Sequence, residues 1–215
     1  STLSPSSAAS DVYKRQKERY IIEDDYDSEF GYYAKPIPAI RSIDRSGKIL
    51  YMNTFTKTLA PSLRISYMVL PEEIAKAFRE KLGFFSCPVP SFEQYTLASF
   101  IAEGYFDRHI SRMRKYYREV RRLLTDGLGG AVSSGKIQIR GKDSGLHFLM
   151  TVDTTRSDAE LCRLFRGHGV KIRALSEFMF EKKSDTHTLL VNDSSLSPES
   201  AAGAAKKILE CLSDC

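Results

Sequence analysis

In the segment Tyr51–Tyr67, YMNTFTKTLAPSLRISY, Lys57 stands between Thr56 and Thr58, with Thr54 just upstream and Arg64 just downstream. A primary amine attacks carbonyl carbon, while hydroxyls and a guanidinium together hold a phosphate dianion by charge-assisted hydrogen bonds. Earlier in the chain the acidic group Glu23–Asp24–Asp25 runs into Tyr26. A carboxylate set against a ring nitrogen keeps that nitrogen protonated, and a tyrosine two residues on can reach a phenolic oxygen of the same ring. Pyridoxal 5'-phosphate (PLP) is a cofactor that needs this whole set: an amine, phosphate anchors and a carboxylate. Singly, none of these signals is specific. A lysine in a threonine-rich loop is ordinarily a surface lysine, and acidic residues after a strand are ordinarily a solvated turn. The combination and its order carry the reading.

The elements that must position these residues read as α/β. Arg19–Glu23 is a short apolar strand that delivers the acidic group, and Lys35–Ser42, with Pro36 and Pro38, reads as loop. Gly47–Asn53 and Ile65–Leu70 are two further strands around a polar loop, Thr54–Leu63. Continuous apolar runs of this kind suit a mostly parallel sheet covered on both faces, with ligands at the carboxyl ends of its strands. Pro71 opens a helix to about Lys81, with Glu72 and Glu73 in its first turn where the helix dipole favours them. Ser91 is placed to cap a second helix that breaks at Gly104. From Tyr105 to Leu128, Ile110, Met113, Tyr117, Val120, Leu124 and Leu128 recur at helical spacing, which puts the basic residues on the other faces.

Beyond Gly129–Gly130 the pattern changes to an α+β one. Lys136–Arg140 and Leu146–Val152 read as strands around the turn GKDSG, and Ser157–His168 as a helix capped by Ser157 and closed by Gly169. Val170–Ala174 and Thr188–Val191 read as strands, and Ser197–Leu212 as a last helix with Pro198 in its first turn.

Composition narrows the class. The 42% hydrophobic and 27% charged residues are ordinary for a globular chain, and no run approaches the roughly 20 apolar residues needed to cross a bilayer. Much of the +5 net charge falls in Arg108–Arg122, RHISRMRKYYREVRR; on a helix such a run reads as a solvated or cofactor-facing surface before a DNA-reading one. Cys87, Cys162, Cys211 and Cys215 form no CxxC pair, which implies reduced thiols and a cytoplasmic protein. The four histidines show no HExxH or related spacing, so no metal site is expected, and His109 and His147 read as structural. Residues 1–17 lack periodicity, and SDVYKRQ resembles translated linker sequence, so this flank is set aside as non-native or disordered and an upstream part of the protein is expected to be missing.

The blocks IEDDYDSEF, KPIPAI and TFTKTLAPSLRISYMVLP, followed by FEQYTLASFIAEGYFDRHISRMRKYYREVRRLL and GLHF, strongly resemble the aminotransferase-like domain of MocR/GabR-type regulators of the GntR family. That group has the fold-type I PLP architecture. The resemblance implies that residues 18–108 are the C-terminal part of the PLP-binding large domain. Residues 109–215 would be a long connecting helix and a small α+β domain. It implies Lys57 as the Schiff-base lysine and Asp24 as partner of the pyridine nitrogen, with Asp25 as the alternative. Tyr26 is implied at the phenolic oxygen, and Thr54, Thr56 and Arg64 at the phosphate.

For the carboxylate of an amino-acid or amine ligand the resemblance offers Arg173, in VKIRALSEFMF. Glu177 stands near a position that is often basic in the pattern, and Ser66 where glycine is usual; both departures bear on substrate rather than cofactor. The implied parent is a homodimeric regulator that touches DNA only through an N-terminal winged-helix domain outside this sequence. The alternative is a free-standing class I/II aminotransferase acting on an amino acid.

Overall fold

The structure, a computed structural model, describes residues 19–32, 38–180 and 186–215. These fall into two compact units: residues 19–28 and 38–109 form one, and residues 29–32, 110–180 and 186–215 form the other.

The first unit is built on a three-stranded sheet in the order β1 (Ile21–Asp24), β2 (Ile49–Thr54), β3 (Ser66–Val69). β1 and β2 run parallel, with Asp24 opposite Met52, whereas β2 and β3 are antiparallel, with Thr54 opposite Ser66. The expected parallel arrangement therefore holds for one pair and not the other. The eleven residues 55–65 that join β2 to β3 return the chain antiparallel.

Two stretches expected as loop contain helical turns. Ile40–Ile43 forms α1 because the Glu23 carboxylate accepts from the Ile40 and Arg41 backbone N–H groups at 2.6 and 2.9 Å, giving the helix start the acceptor it lacks. The rest of the Lys35–Ser42 expectation lies partly outside the described residues. Phe55–Thr58 forms α2, capped by the Thr54 side chain, which accepts from the Thr56 N–H.

α3 (Glu72–Leu82) begins after Pro71 with Glu72 and Glu73 in its first turn, as expected. In α4 (Ser91–Ala102) the cap position is Pro90, and Ser91 is the first helical residue rather than the cap. Gly104, at φ +71°, breaks the chain between α4 and α5 (Tyr105–Gly127), a conformation that a residue with a Cβ adopts only with strain. Burial in this unit is thin. Ile49 and Ile65 are its buried aliphatic side chains among the described residues, β3 is exposed throughout, and Phe92 and Tyr95 are 79% and 76% exposed.

The second unit has a four-stranded antiparallel sheet in the order β4 (Ile137–Arg140), β5 (His147–Val152), β7 (His187–Asn192), β6 (Arg173–Ala174). β6 is shorter than Val170–Ala174, because only Arg173 and Ala174 pair with β7. Along β5 the side chains alternate, and Phe148, Met150 and Val152 turn inward. They meet Val120 and Leu124 of α5, Leu161 and Phe165 of α7 (Asp158–Gly167), and Ile208 and Leu212 of α8 (Pro198–Ser213). A short helix, α6 (Gly129–Ser133), links α5 to β4. The ends of α7 and α8 follow from sequence: Ser157 with Glu160 forms a reciprocal cap, and Ser197 caps α8 ahead of Pro198.

One basic residue of α5 does not face outward. Arg121 is buried, donates to Asp193 at 2.5 and 3.0 Å, and reaches the carbonyls of Lys142 and Gly145, with its guanidinium 5.0 Å from the Phe148 ring. Arg122 pairs with Glu119 and Asp126 on the same helix, while Arg114 reaches along the chain to donate to the Glu29 carbonyl. Removing one partner of a buried ion pair strands the other charge. Asp193→Ala is therefore expected to destabilise this unit by about 3–5 kcal/mol, while replacing both Arg121 and Asp193 by apolar residues costs much less. Denaturant unfolding checks this, and a loss smaller than about 1 kcal/mol for the single variant would contradict it.

Candidate functional site

The carboxyl ends of β1 and β2 meet the start of β3 at a cleft of about 550 Å³. Asp24, Tyr26, Thr54, Thr56, Lys57 and Arg64 all line it, together with Met52, Asn53 and Ser66. Parallel pairing delivers Asp24 beside the end of β2. The capped turn α2 then lifts Lys57 out of the strand, and the return to β3 brings Arg64 and Ser66 back to the same place.

The side chains differ in how they are engaged. Those of Asp24, Lys57 and Arg64 are exposed and make no hydrogen bond or ion pair among the described residues. Thr54 and Thr56 are committed locally: the Thr54 hydroxyl lies 3.0 Å from that of Thr56 and 3.2 Å from the Ile65 carbonyl, and Thr56 donates to the Leu63 carbonyl at 2.8 Å. These bonds hold α2 against the chain that carries Arg64. His109 adds a further tie, its Nε2 lying 2.9 Å from the Thr58 carbonyl, one residue past Lys57.

Asp25 behaves unlike Asp24. It is not among the residues lining the cleft, and it accepts from the Ser28 hydroxyl and the Tyr51 phenol, both at 2.9 Å. Asn53, only 4% exposed, donates to the same phenol at 3.0 Å, so Asp25, Tyr51 and Asn53 form one polar chain that reaches the cleft lining at Asn53. Burial raises the Tyr51 phenol well above its ordinary value, and the bond to Asp25 acts in the same direction. Burial likewise raises Tyr26, with the Asp27 and Asp24 carboxylates adding to it, so Tyr26 stays a neutral hydrogen-bond donor at neutral pH. Reading the sequence alone missed Tyr51, Met52 and Asn53. The available signal was Asn53, a polar residue closing an otherwise apolar strand.

Arg173 belongs to the second unit. It is exposed on β6, donates to Glu177 at 3.0 Å and lies over the Phe178 ring at 4.3 Å. Glu177 also accepts from the Ala174 N–H, inside a 3-10 turn at Leu175–Phe178. The acidic residue noted in the sequence thus occupies the arginine expected to hold a ligand carboxylate.

A match to the family model "Aminotransferase class I and II" runs over residues 10–202. The chain belongs to the class I and II aminotransferase family. Pyridoxal phosphate is the cofactor this family implies. The donor set of the cleft fits such a group: an ammonium, a guanidinium and a carboxylate, unengaged among the described residues, around a space in the size range of ligand pockets.

Among curated relatives, the chain is 36% identical over 193 residues to the uncharacterized HTH-type transcriptional regulator YdeL of Bacillus subtilis, covering 90% of this chain and 41% of that protein. It is 34% identical over 173 residues to the probable rhizopine catabolism regulatory protein MocR of Rhizobium meliloti, covering 80% and 35%. The chain thus spans well under half the length of these relatives. Among solved structures, the α-aminoadipate aminotransferase LysN of Thermus thermophilus, complexed with N-(5'-phosphopyridoxyl)-L-leucine, superposes with a TM-score of 0.81 at 21% identity. That match covers 98% of this chain and 54% of LysN. An archaeal alanine:glyoxylate aminotransferase gives a TM-score of 0.84 at 18% identity, covering 100% and 53%. These likenesses fix the fold as that of the PLP aminotransferases. No helix among the described residues is long and apolar enough to cross a membrane.

The Glu177 carboxyl is held below the ordinary glutamate value, first by the Ala174 N–H and then by Arg173. A depressed carboxyl favours the folded turn at pH above its unfolded value and loses that contribution as pH falls through the folded one. A carboxyl-carbon NMR titration should place Glu177 below an unpaired surface glutamate. Arg173→Gln should return it only part of the way, because the Ala174 N–H remains; an unmoved midpoint would show that the pair does not form.

Proposed function

We propose that this chain is the aminotransferase-like, effector-sensing part of a GntR/MocR-type transcriptional regulator, holding pyridoxal phosphate through Lys57. The observation that carries the reading is the convergence of Asp24, Tyr26, Thr54, Thr56, Lys57 and Arg64 on one cleft, with the three charged side chains unengaged among the described residues. When bound, the cofactor supplies an electron-withdrawing ring and a carbonyl that links to amines.

The roles of the residues follow from their chemistry. The Lys57 amine anchors the cofactor covalently, and a ligand amine competes for that position. Asp24 rather than Asp25 faces the ring nitrogen and keeps its proton, since Asp25 is occupied by Ser28 and Tyr51. Tyr26, held neutral, donates to the phenolic oxygen. The Arg64 guanidinium neutralises the phosphate, with the Thr54 and Thr56 hydroxyls beside it. Arg173 serves the carboxylate of an amino-acid ligand once Glu177 releases it.

The regulator reading extends to the whole protein. It is supported by relatives that carry the name of HTH-type transcriptional regulators. In it, DNA is bound by an N-terminal domain outside this chain, the cytoplasmic parent is a homodimer, and ligand binding biases the arrangement of its DNA-binding heads. A second reading, a free-standing aminotransferase, draws on a 30% match over 114 residues to aromatic-amino-acid aminotransferase 1 of Thermococcus litoralis. There Lys57, once freed, takes a proton from the substrate α-carbon as a general base. The coding sequence upstream of Arg19 separates the two: a winged-helix sequence assigns the regulator, and an unbroken aminotransferase domain assigns the enzyme.

The Asp24 assignment is tested by titrating the chain with pyridoxal phosphate and following its visible absorbance. Asp24→Asn is expected to weaken binding by about tenfold or more, because it removes a charge-assisted bond to the protonated ring, while Asp25→Asn changes it only a few-fold. The reverse order would move the role to Asp25.

A further inference from the structure

A second cleft of about 550 Å³ lies wholly within the second unit, between α8, the end of α5 and the chain leaving α7. Val170, Leu196 and Ala204 supply accessible apolar walls, and the largely buried Ile172, Val191 and Ile208 lie behind them at the lining. The space exists because α8 presents Gly203 and Ala204 here; a Cβ built on Gly203 meets nothing within 4 Å. At its rim stand Lys171 and Lys207, the latter reaching across to Gly169, where its Nζ lies 3.9 Å from the site of a Cβ. Neither ammonium has a hydrogen bond or ion pair among the described residues, and no carboxylate is among the residues lining the cleft. The amide of Asn192 lies at the same rim, with its oxygen already accepting from Ser194.

An apolar recess of this size with a few convergent polar groups is the usual form of a small-molecule site. Two unpaired cations at the mouth of an apolar cavity are complementary to a ligand with one anionic end and one apolar body. We propose that this cleft binds a small amphiphilic carboxylate, its hydrocarbon part against Val170, Leu196 and Ala204, over Ile172 and Val191, and its carboxylate between Lys171 and Lys207. The site is separate in its residues from the Lys57 cleft, sharing none of its lining, and would give the protein a second input besides its cofactor.

Hydrocinnamate and its neutral amide, hydrocinnamide, are suitable probes, followed by calorimetry and by methyl NMR. The Lys57 cleft has no isoleucine, leucine or valine in its lining, so shifts of the Ile172, Val191 and Ile208 methyls locate binding at the second cleft. Hydrocinnamate should shift those methyls and bind more tightly than the amide. Lys171→Met with Lys207→Met should remove roughly tenfold of its affinity, two exposed charge pairs being worth about that much together. Gly203→Leu should abolish binding of both probes while the helix gains rather than loses stability. The proposal is overturned by equal affinity for acid and amide, by shifts confined elsewhere, by no binding, or by unchanged binding in Gly203→Leu. It is also overturned if Gly203→Leu instead disrupts a dimer of this chain and hydrocinnamate does not bind, which assigns the cleft to a second copy.

Discussion

The parallel pairing of β1 with β2 is the constraint on which the candidate site rests. Parallel strands end on the same side, so the acidic group that closes β1 and the threonine–lysine turn that follows β2 are delivered to one edge. A slip of one residue would turn Asp24 to the opposite face of the sheet and separate it from Lys57. Glu23 helps to hold the arrangement from the other side, since its carboxylate fastens the start of α1 to β1. The antiparallel return to β3 completes it by setting Ser66 opposite Thr54 and Arg64 at the rim.

Much of this was legible in the sequence, for reasons that differ by residue. Lys57, Thr54 and Arg64 were readable because their chemical types are needed together, and Asp24 because it follows an apolar strand. The different engagement of Asp24 and Asp25 was not, because nothing in the sequence marks that Asp25 is bonded to Ser28 and Tyr51. The turn α2 was read as loop because four residues are too few to show a helical period, and its cap, Thr54, looked like a ligand residue alone. Ser91 failed as a cap for a related reason: a serine near a helix start does not fix which residue the first turn begins on.

Buried polar groups were the least legible. Arg121 lies in a run of basic residues and carries no mark in sequence that distinguishes it from Arg118 or Arg122. Its burial depends on Asp193, far along the chain, and on carbonyls of the turn before β5. The antiparallel sheet of the second unit was by contrast plainly written, since Phe148, Met150 and Val152 alternate with partly exposed residues and the helices carry recognisable caps. The two units also differ in how well they are filled. The second has a continuous apolar core, whereas the first buries Ile49 and Ile65 and leaves Phe92, Tyr95 and the whole of β3 exposed.

The central claim, that Lys57 is the anchor of the cofactor, is tested most directly by chemical trapping. The chain is mixed with a near-equal amount of pyridoxal phosphate, reduced with borohydride, and mapped by peptide mass spectrometry. The account predicts that the label collects on the peptide containing Lys57 ahead of every other lysine. A label spread evenly over the surface lysines, with Lys57 no more modified than the rest, would contradict it.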